Sequence, residues 1–264
     1  MIGAIIGDVV GSRFEFNNIK TKDFELVSKE SKFTDDTVLT IALMDWVLHE
    51  NEKNTTSAAK YLQKWARRYP YAGYGNRFIS WIYEVNPKPY NSCGNGSAMR
   101  ISGVGWAYAG NTDDLLNYTH LATACTHNHP EGLKGAFVVA RCIAMALEKC
   151  DKKDIREYAL SQYPEIATLD YEELRRTYKH DSEICQTSVP QALYCFLISN
   201  SFEDCLRTTI SIGGDCDTTA AMSCAIAEAY YGDIPAELVK AVRNKLPERM
   251  LEVIDEFKEK YGGN

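Results

Sequence analysis

Apolar residues recur along this chain at three- and four-residue spacing, the period of a helix with one buried face. In 37–49 the set Val38, Ile41, Ala42, Met44, Val47 and Leu48 follows that spacing. The same period predicts helices over 56–68, 97–109, 113–124, 131–149, 187–199, 202–210, 216–231 and 248–260. The alternation of a strand is confined to Phe24-Glu25-Leu26-Val27. An all-α protein is expected. Gly3, Gly7 and Gly11 recur every four residues, which bares one face of an opening helix to a close neighbour. Ala136, Ala140 and Ala144 in one long helix, and Ala220, Ala221 and Ala225 in another, predict tight packing at the centre of a bundle. Trp46, Trp65, Trp81 and Trp106 lie on helical faces and are expected in the core.

Helix starts are marked by N-cap residues: Thr34 or Asp35, Thr112, Ser201, and Asp215 or Asp217. Pro190 is expected in the turn before Gln191, and Pro247 just before a helix at Glu248. No linker, charge block or repeat divides the chain, so one domain over 1–264 is expected. The stretch 161–182 is the most polar and least regular, and reads as a surface excursion.

With 264 residues and 45% hydrophobic content the chain can bury a large core. A net charge of -7 and the lack of a Lys/Arg run argue against nucleic acid as the main partner. No apolar stretch approaches the roughly 20 residues of a membrane span. The opening apolar run has no basic leader and meets Asp8 too early for a signal segment. Nine scattered cysteines, an odd number, suggest reduced, buried thiols and a cytoplasmic setting.

The chemistry concentrates in two acidic clusters, Phe33-Thr34-Asp35-Asp36-Thr37 and Gly213-Gly214-Asp215-Cys216-Asp217-Thr218-Thr219. Each puts carboxylates beside Thr hydroxyls at a helix start. Capping accounts for one Asp but not for consecutive ones. If the fold brings the clusters together, the acids repel, and one or two divalent cations are the simplest compensation. Hard oxygen ligands suit Mg2+ or Mn2+ better than Zn2+. Glu15 is the nearest further acid, whereas Asp8 reads as a buried hydrogen-bonding residue. The turn Cys93-Gly94-Asn95-Gly96-Ser97 can offer backbone N–H groups to an anion such as pyrophosphate, or be an ordinary glycine-rich helix start. Thr126-His127-Asn128-His129-Pro130 lacks the spacing of a structural zinc site. One of its His residues is expected to bond substrate or a ligand oxygen, the other to cap a helix.

Together F-T-D-D-T, G-N-G-S-A-M-R, T-H-N-H-P and I-G-G-D-C-D-T-T-A-A, in this order, resemble the ADP-ribosylglycohydrolase family. The resemblance implies a single compact multi-helix orthogonal bundle holding two Mg2+ or Mn2+ ions at the base of a cleft. It implies Thr34, Asp35, Asp36, Asp215, Asp217 and Thr218 as ligands. Glu15 matches the acid of the first loop. It joins Asp35, Asp36 and Asp217 as a candidate catalytic acid or base. Ser92, Gly94, Asn95 and Gly96 match the loop that holds the diphosphate and distal ribose; Gly213 and His127 join the substrate-binding set. The implied reaction is hydrolysis at the anomeric carbon of an ADP-ribosyl group. Its substrate would be a modified protein or a small conjugate such as an O-acyl ADP-ribose. A non-catalytic ADP-ribose binder is the reading from another class. Some relatives carry an aromatic just before G-N-G that stacks adenine. Here that place is Cys93, so another aromatic would have to serve.

Overall fold

Small residues bring the two ends of the chain together. In the computed structural model, which describes residues 1–179 and 183–262, helix α1 (Gly3–Gly11) packs along α13 (Cys216–Tyr231). A Cβ at Gly3, Gly7 or Gly11 would collide with the backbone of Cys224, Ala220 or Asp217. The glycine repeat therefore lets two backbones touch, as its spacing predicts.

Around this pair lie α2 (Asp35–His49), α3 (Thr55–Arg68), α4 (Asn76–Ile82), α5 (Gly96–Met99), α6 (Ser102–Ala107), α7 (Thr112–Thr123) and α8 (Pro130–Leu147). The chain continues through α9 (Lys152–Gln162), a 3-10 turn (Pro164–Thr168), α10 (Tyr171–Thr177), α11 (Cys185–Ile198) and α12 (Phe202–Ile212). After α13 it closes with α14 (Ala236–Arg243) and α15 (Glu248–Tyr261). One large apolar core draws on helices from α1 to α15, and a small second cluster, Leu174, Cys195 and Ile212, joins α10, α11 and α12. α13 is the hub of the large core, contacting α1, α2, α5, α8, α11 and α12. Ala136, Ala140 and Ala144 of α8, and the alanines of α13, are buried at this centre. No helix among the described residues is long and apolar enough to cross a membrane.

The structure departs from the sequence reading in several places. The expected strand at Phe24–Val27 is irregular; Arg207 Nη1 donates to the Phe24 carbonyl (2.8 Å) and Phe24 packs on Phe14, in place of a partner strand. The expected helix 97–109 is two helices. The break at Arg100–Ile101 turns Arg100 into the interior while Gly103 seats on Met44 and Gly105 on Ile143. Pro190 lies inside α11, which starts at Cys185; burial of its Val189–Phe196 face outweighs the missing hydrogen bond. Asn111, not Thr112, caps α7, accepting from Asp114 N (3.2 Å). Finally, 161–182 is no mere excursion: Tyr163, Ile166 and Leu174 are buried, and the Tyr178 ring lies on Gly214. Its last three residues fall outside the described ones. The helices α4, α10 and α14 escape the sequence reading because they are short, and α9 because it buries only Ile155 and Ala159. Trp46, Trp65 and Trp81 are core residues; Trp106 is half-buried.

Asp8 knits α1 to the start of α2. Its carboxylate accepts from Thr34 N (3.0 Å), Thr34 Oγ1 (2.7 Å), Thr37 N (3.0 Å) and the Thr37 hydroxyl. Asp8→Ala would strand these buried donors, and a loss of about 3 kcal/mol is expected. Chemical denaturation measures it; a loss under ~1 kcal/mol would show that Asp8 is no staple.

Candidate metal centre and its cleft

The two acidic clusters meet because α1 carries both partners: Asp8 fixes the start of α2, and Gly11 seats the first turn of α13. Asn18 completes the junction, accepting from Gly214 N (2.8 Å) and donating to its carbonyl (2.9 Å). Gly213 and Gly214, with φ of 76° and 72°, make the turn, a conformation that suits glycine.

Thr34 caps α2, its Oγ1 accepting from Asp36 N (3.3 Å). Asp215 holds the same position on α13 but does not cap. Its Oδ2 instead accepts from Asn95 Nδ2 (2.6 Å), and that amide also donates to Ser188 Oγ (3.0 Å). Asp217 Oδ1 accepts from Thr218 N (3.0 Å), while the Thr218 hydroxyl donates to Asp36 Oδ2 (3.1 Å), bridging the clusters. Oxygens of Glu15, Asp215 and Asp217 lie within 4.8 Å of one another. Burial, then the neighbouring carboxylates, push Asp35, Asp36 and Asp217 well above the usual carboxylate range.

These acids floor a cleft of about 590 Å3. A divalent cation fits the donor set: Asp36 Oδ1 is buried at this floor without a hydrogen-bond partner, amid further hard oxygens. Asp35, Asp36, Asp215, Asp217, Thr218 and Glu15 all line the cleft. Thr34 does not: its hydroxyl is directed at Asp8. Gly213 lies off the cleft too, with Lys20 and Asn18 filling the space beside its Cα.

Ser92, Gly94, Asn95, Gly96 and His127 line the next wall. The expected anion cradle is diminished, though. Gly94 N donates to Ser92 Oγ (3.1 Å) and Asn95 N to the Glu183 carbonyl (2.9 Å), so neither N–H is free for a ligand. Of the two His residues, His129 caps α8, its Nδ1 accepting from Glu131 N (3.1 Å), and His127 faces the cleft. The opposite wall was not legible beforehand: Gly73, Tyr74, Gly75, Asn76, Arg77 and Phe78, with Tyr90 and Arg100 nearby. The only signal was the Gly-Tyr-Gly turn between α3 and α4, which lacks acids.

A sequence profile described as ADP-ribosylglycohydrolase matches residues 1–264. The chain belongs to the ADP-ribosylglycohydrolase family. Such a family member is expected to resemble its relatives along most of its length, and it does. It is 28% identical to "ADP-ribosylhydrolase ARH3" of Mus musculus, over 88% of this chain and 82% of that protein. It is 24% identical to "ADP-ribosyl-[dinitrogen reductase] glycohydrolase" of Rhodospirillum rubrum, over 96% and 92%. "ADP-ribosylarginine hydrolase Tri1" of Pseudomonas putida (strain GB-1) is also 24% identical, over 92% and 72%. The fold matches a solved structure titled "ADP-ribosylglycohydrolase-related protein complex", with a TM-score of 0.73 at 23% identity, covering 98% of this chain and 95% of that one. This ADP-ribosylglycohydrolase is thus a helical hydrolase whose two acidic clusters share one cleft.

Proposed function

We propose that this protein releases ADP-ribose from an ADP-ribosylated protein, using two divalent cations, Mg2+ or Mn2+, at the cleft floor. The observation that carries the reading is the convergence there of both acidic clusters around the unpartnered Asp36 Oδ1. Asp35, Asp36, Asp215, Asp217, Thr218 and Glu15 would hold the cations. When bound, such ions supply Lewis-acid polarisation and a water of lowered pKa.

The chain's own residues do the rest. The carboxylate floor favours the positive charge that develops at the anomeric carbon when the glycosidic bond breaks. Burial and mutual repulsion raise the proton affinity of Asp35, Asp36 and Asp217 in the cation-free protein. The general base is drawn from these three and Glu15. Nine free, mostly buried cysteines support a cytoplasmic setting. The relatives' names support protein-linked, including arginine-linked, ADP-ribose as the substrate. The net charge of -7 favours a second reading, a small conjugate such as an O-acyl ADP-ribose, because an acidic enzyme repels acidic proteins.

Incubation with arginine- and serine-ADP-ribosylated peptides and with an O-acyl ADP-ribose, each with Mg2+, Mn2+ or EDTA, tests both. Cation-dependent release from one peptide is the expected result. Release from the small conjugate alone would establish the second reading, and no release from any of them would refute both.

A further inference from the structure

A buried chain of polar groups stands behind His127. Arg100 is 1% exposed, Thr126 0% and His127 5%. Arg100 Nη2 donates to Thr126 Oγ1 (2.7 Å), and that oxygen lies 2.7 Å from His127 Nδ1. Arg100 Nε is buried with no hydrogen-bond partner. A guanidinium in that state lowers stability, so packing gives no reason for one here.

The proton positions follow from what each group can do. Arginine only donates, so Thr126 Oγ1 accepts from it and keeps its own hydrogen to give. The acceptors within reach are His127 Nδ1 and the sulfur of Cys125, and a thiol is a weak acceptor. Donation to Nδ1 gives that hydrogen to the stronger acceptor; the opposite arrangement, with Nδ1–H bonding this oxygen too, would leave the hydroxyl hydrogen to the thiol. A neutral ring with Nδ1 accepting carries its hydrogen on Nε2. Burial, with Arg100 and Arg77 nearby, pushes His127 well below the usual histidine range, so the ring is neutral at pH 7.

Nε2 faces the glycine turn: it lies 3.6 Å from where a Cβ on Gly94 would stand and 3.4 Å from one on Gly96. Gly94 and Asn95 have already committed their own N–H groups elsewhere, so a donor at His127 Nε2 would add to what this turn offers a ligand oxygen.

We propose that Arg100 and Thr126 are positioning residues that lock His127 as a permanent Nε2–H donor, directed over the Gly94–Gly96 turn at an anionic oxygen of the substrate. The identity of that oxygen, a phosphate of ADP-ribose, rests on the functional reading above. His127 then holds the substrate and neither gives nor takes a proton during the reaction. An imidazole held in the other tautomer would turn a lone pair toward the phosphate and repel it.

Long-range 1H–15N correlation spectra of the full chain labelled at histidine test this directly, with the His127 signals assigned by their loss in His127→Gln. At neutral pH the wild type and Thr126→Ser should show His127 as a neutral ring protonated at Nε2. Thr126→Val, which keeps the shape and removes the hydroxyl, should shift it toward the Nδ1–H form. Calorimetric titration with ADP-ribose should then show affinity about tenfold weaker in Thr126→Val and near wild type in Thr126→Ser. A wild-type ring that is doubly protonated or carries its hydrogen on Nδ1 would overturn the proposal. So would a Thr126→Val variant unchanged in tautomer and affinity. If the spectra are as expected but the wild type does not bind ADP-ribose, the lock on His127 stands and the functional reading fails.

Discussion

Asp217→Asn is expected to abolish cation-dependent turnover while raising the melting temperature of the cation-free protein at neutral pH. Asp217 is 2% exposed, and burial, then Asp215, Asp36 and Glu15, raise its proton affinity. Its carboxyl keeps a proton to higher pH in the folded chain than in the unfolded one, where it titrates near the ordinary value of about 4. Between those two values the folded state binds more protons, so stability falls as pH rises through that window. At neutral pH the cation-free protein therefore carries a penalty that acid, or a bound divalent cation, relieves. Asparagine removes the charge and keeps an oxygen for the Thr218 N–H.

Loss of an outer partner at a metal site costs 10–100-fold in affinity or activity. Removal of a ligand itself should exceed about 100-fold. Melting curves in EDTA across pH 5–8, with and without added Mg2+ or Mn2+, and activity in the cation-replete protein measure both halves. A cation-free wild type whose melting temperature is flat with pH would sink the stability argument. Undiminished turnover in the variant would sink the ligand assignment.

Gly11→Ala should damage the fold and the site together. A Cβ at Gly11 would lie 2.5 Å from Asp217 Cα and 2.9 Å from its Cβ, closer than real Cβ contacts come. Neither side can relax cheaply, since both are helix backbones in the core. Overpacking of this kind costs about 2–3 kcal/mol, which corresponds to a fall in melting temperature of about 5–10 °C in a chain of this size. The displacement falls on the second acidic cluster, so divalent-cation affinity should drop about tenfold as well. Thermal melts and a cation titration check this. A melting temperature within about 2 °C of wild type would show that α1 and α13 can part without loss.

Much of the architecture is local information, and local information is legible in a sequence. The spacing of the apolar positions announces α2, α3, α7, α8, α12, α13 and α15; α3, α12 and α15 bury one stripe, whereas α2 and α13 are buried nearly all round. The glycine repeat of α1 announces a close helix contact, though not its partner. Of the helices missed, α4, α10 and α14 span too few turns to establish a period, and α9 buries only Ile155 and Ala159. The break at Arg100 escaped for a different reason: the apolar spacing runs on across it, and the turn is set by the partners of Arg100, Gly103 and Gly105.

The site divides in the same way. By itself the sequence determined an all-α protein, the composition of each acidic cluster and the family resemblance, since these rest on residues adjacent in the chain. Only the tertiary structure decided that Asp36 and Thr218 touch across 182 positions, that Thr34 turns to Asp8, and that Gly213 stands off the cleft. It also supplied the wall from Gly73 to Phe78 and the chain from Arg100 through Thr126 to His127. The physical reason is one of range. Helix period and capping act over a few residues and are written in spacing. Which carboxylates share a cleft, and which donors already have partners, depends on how buried backbones pack, and no spacing records that.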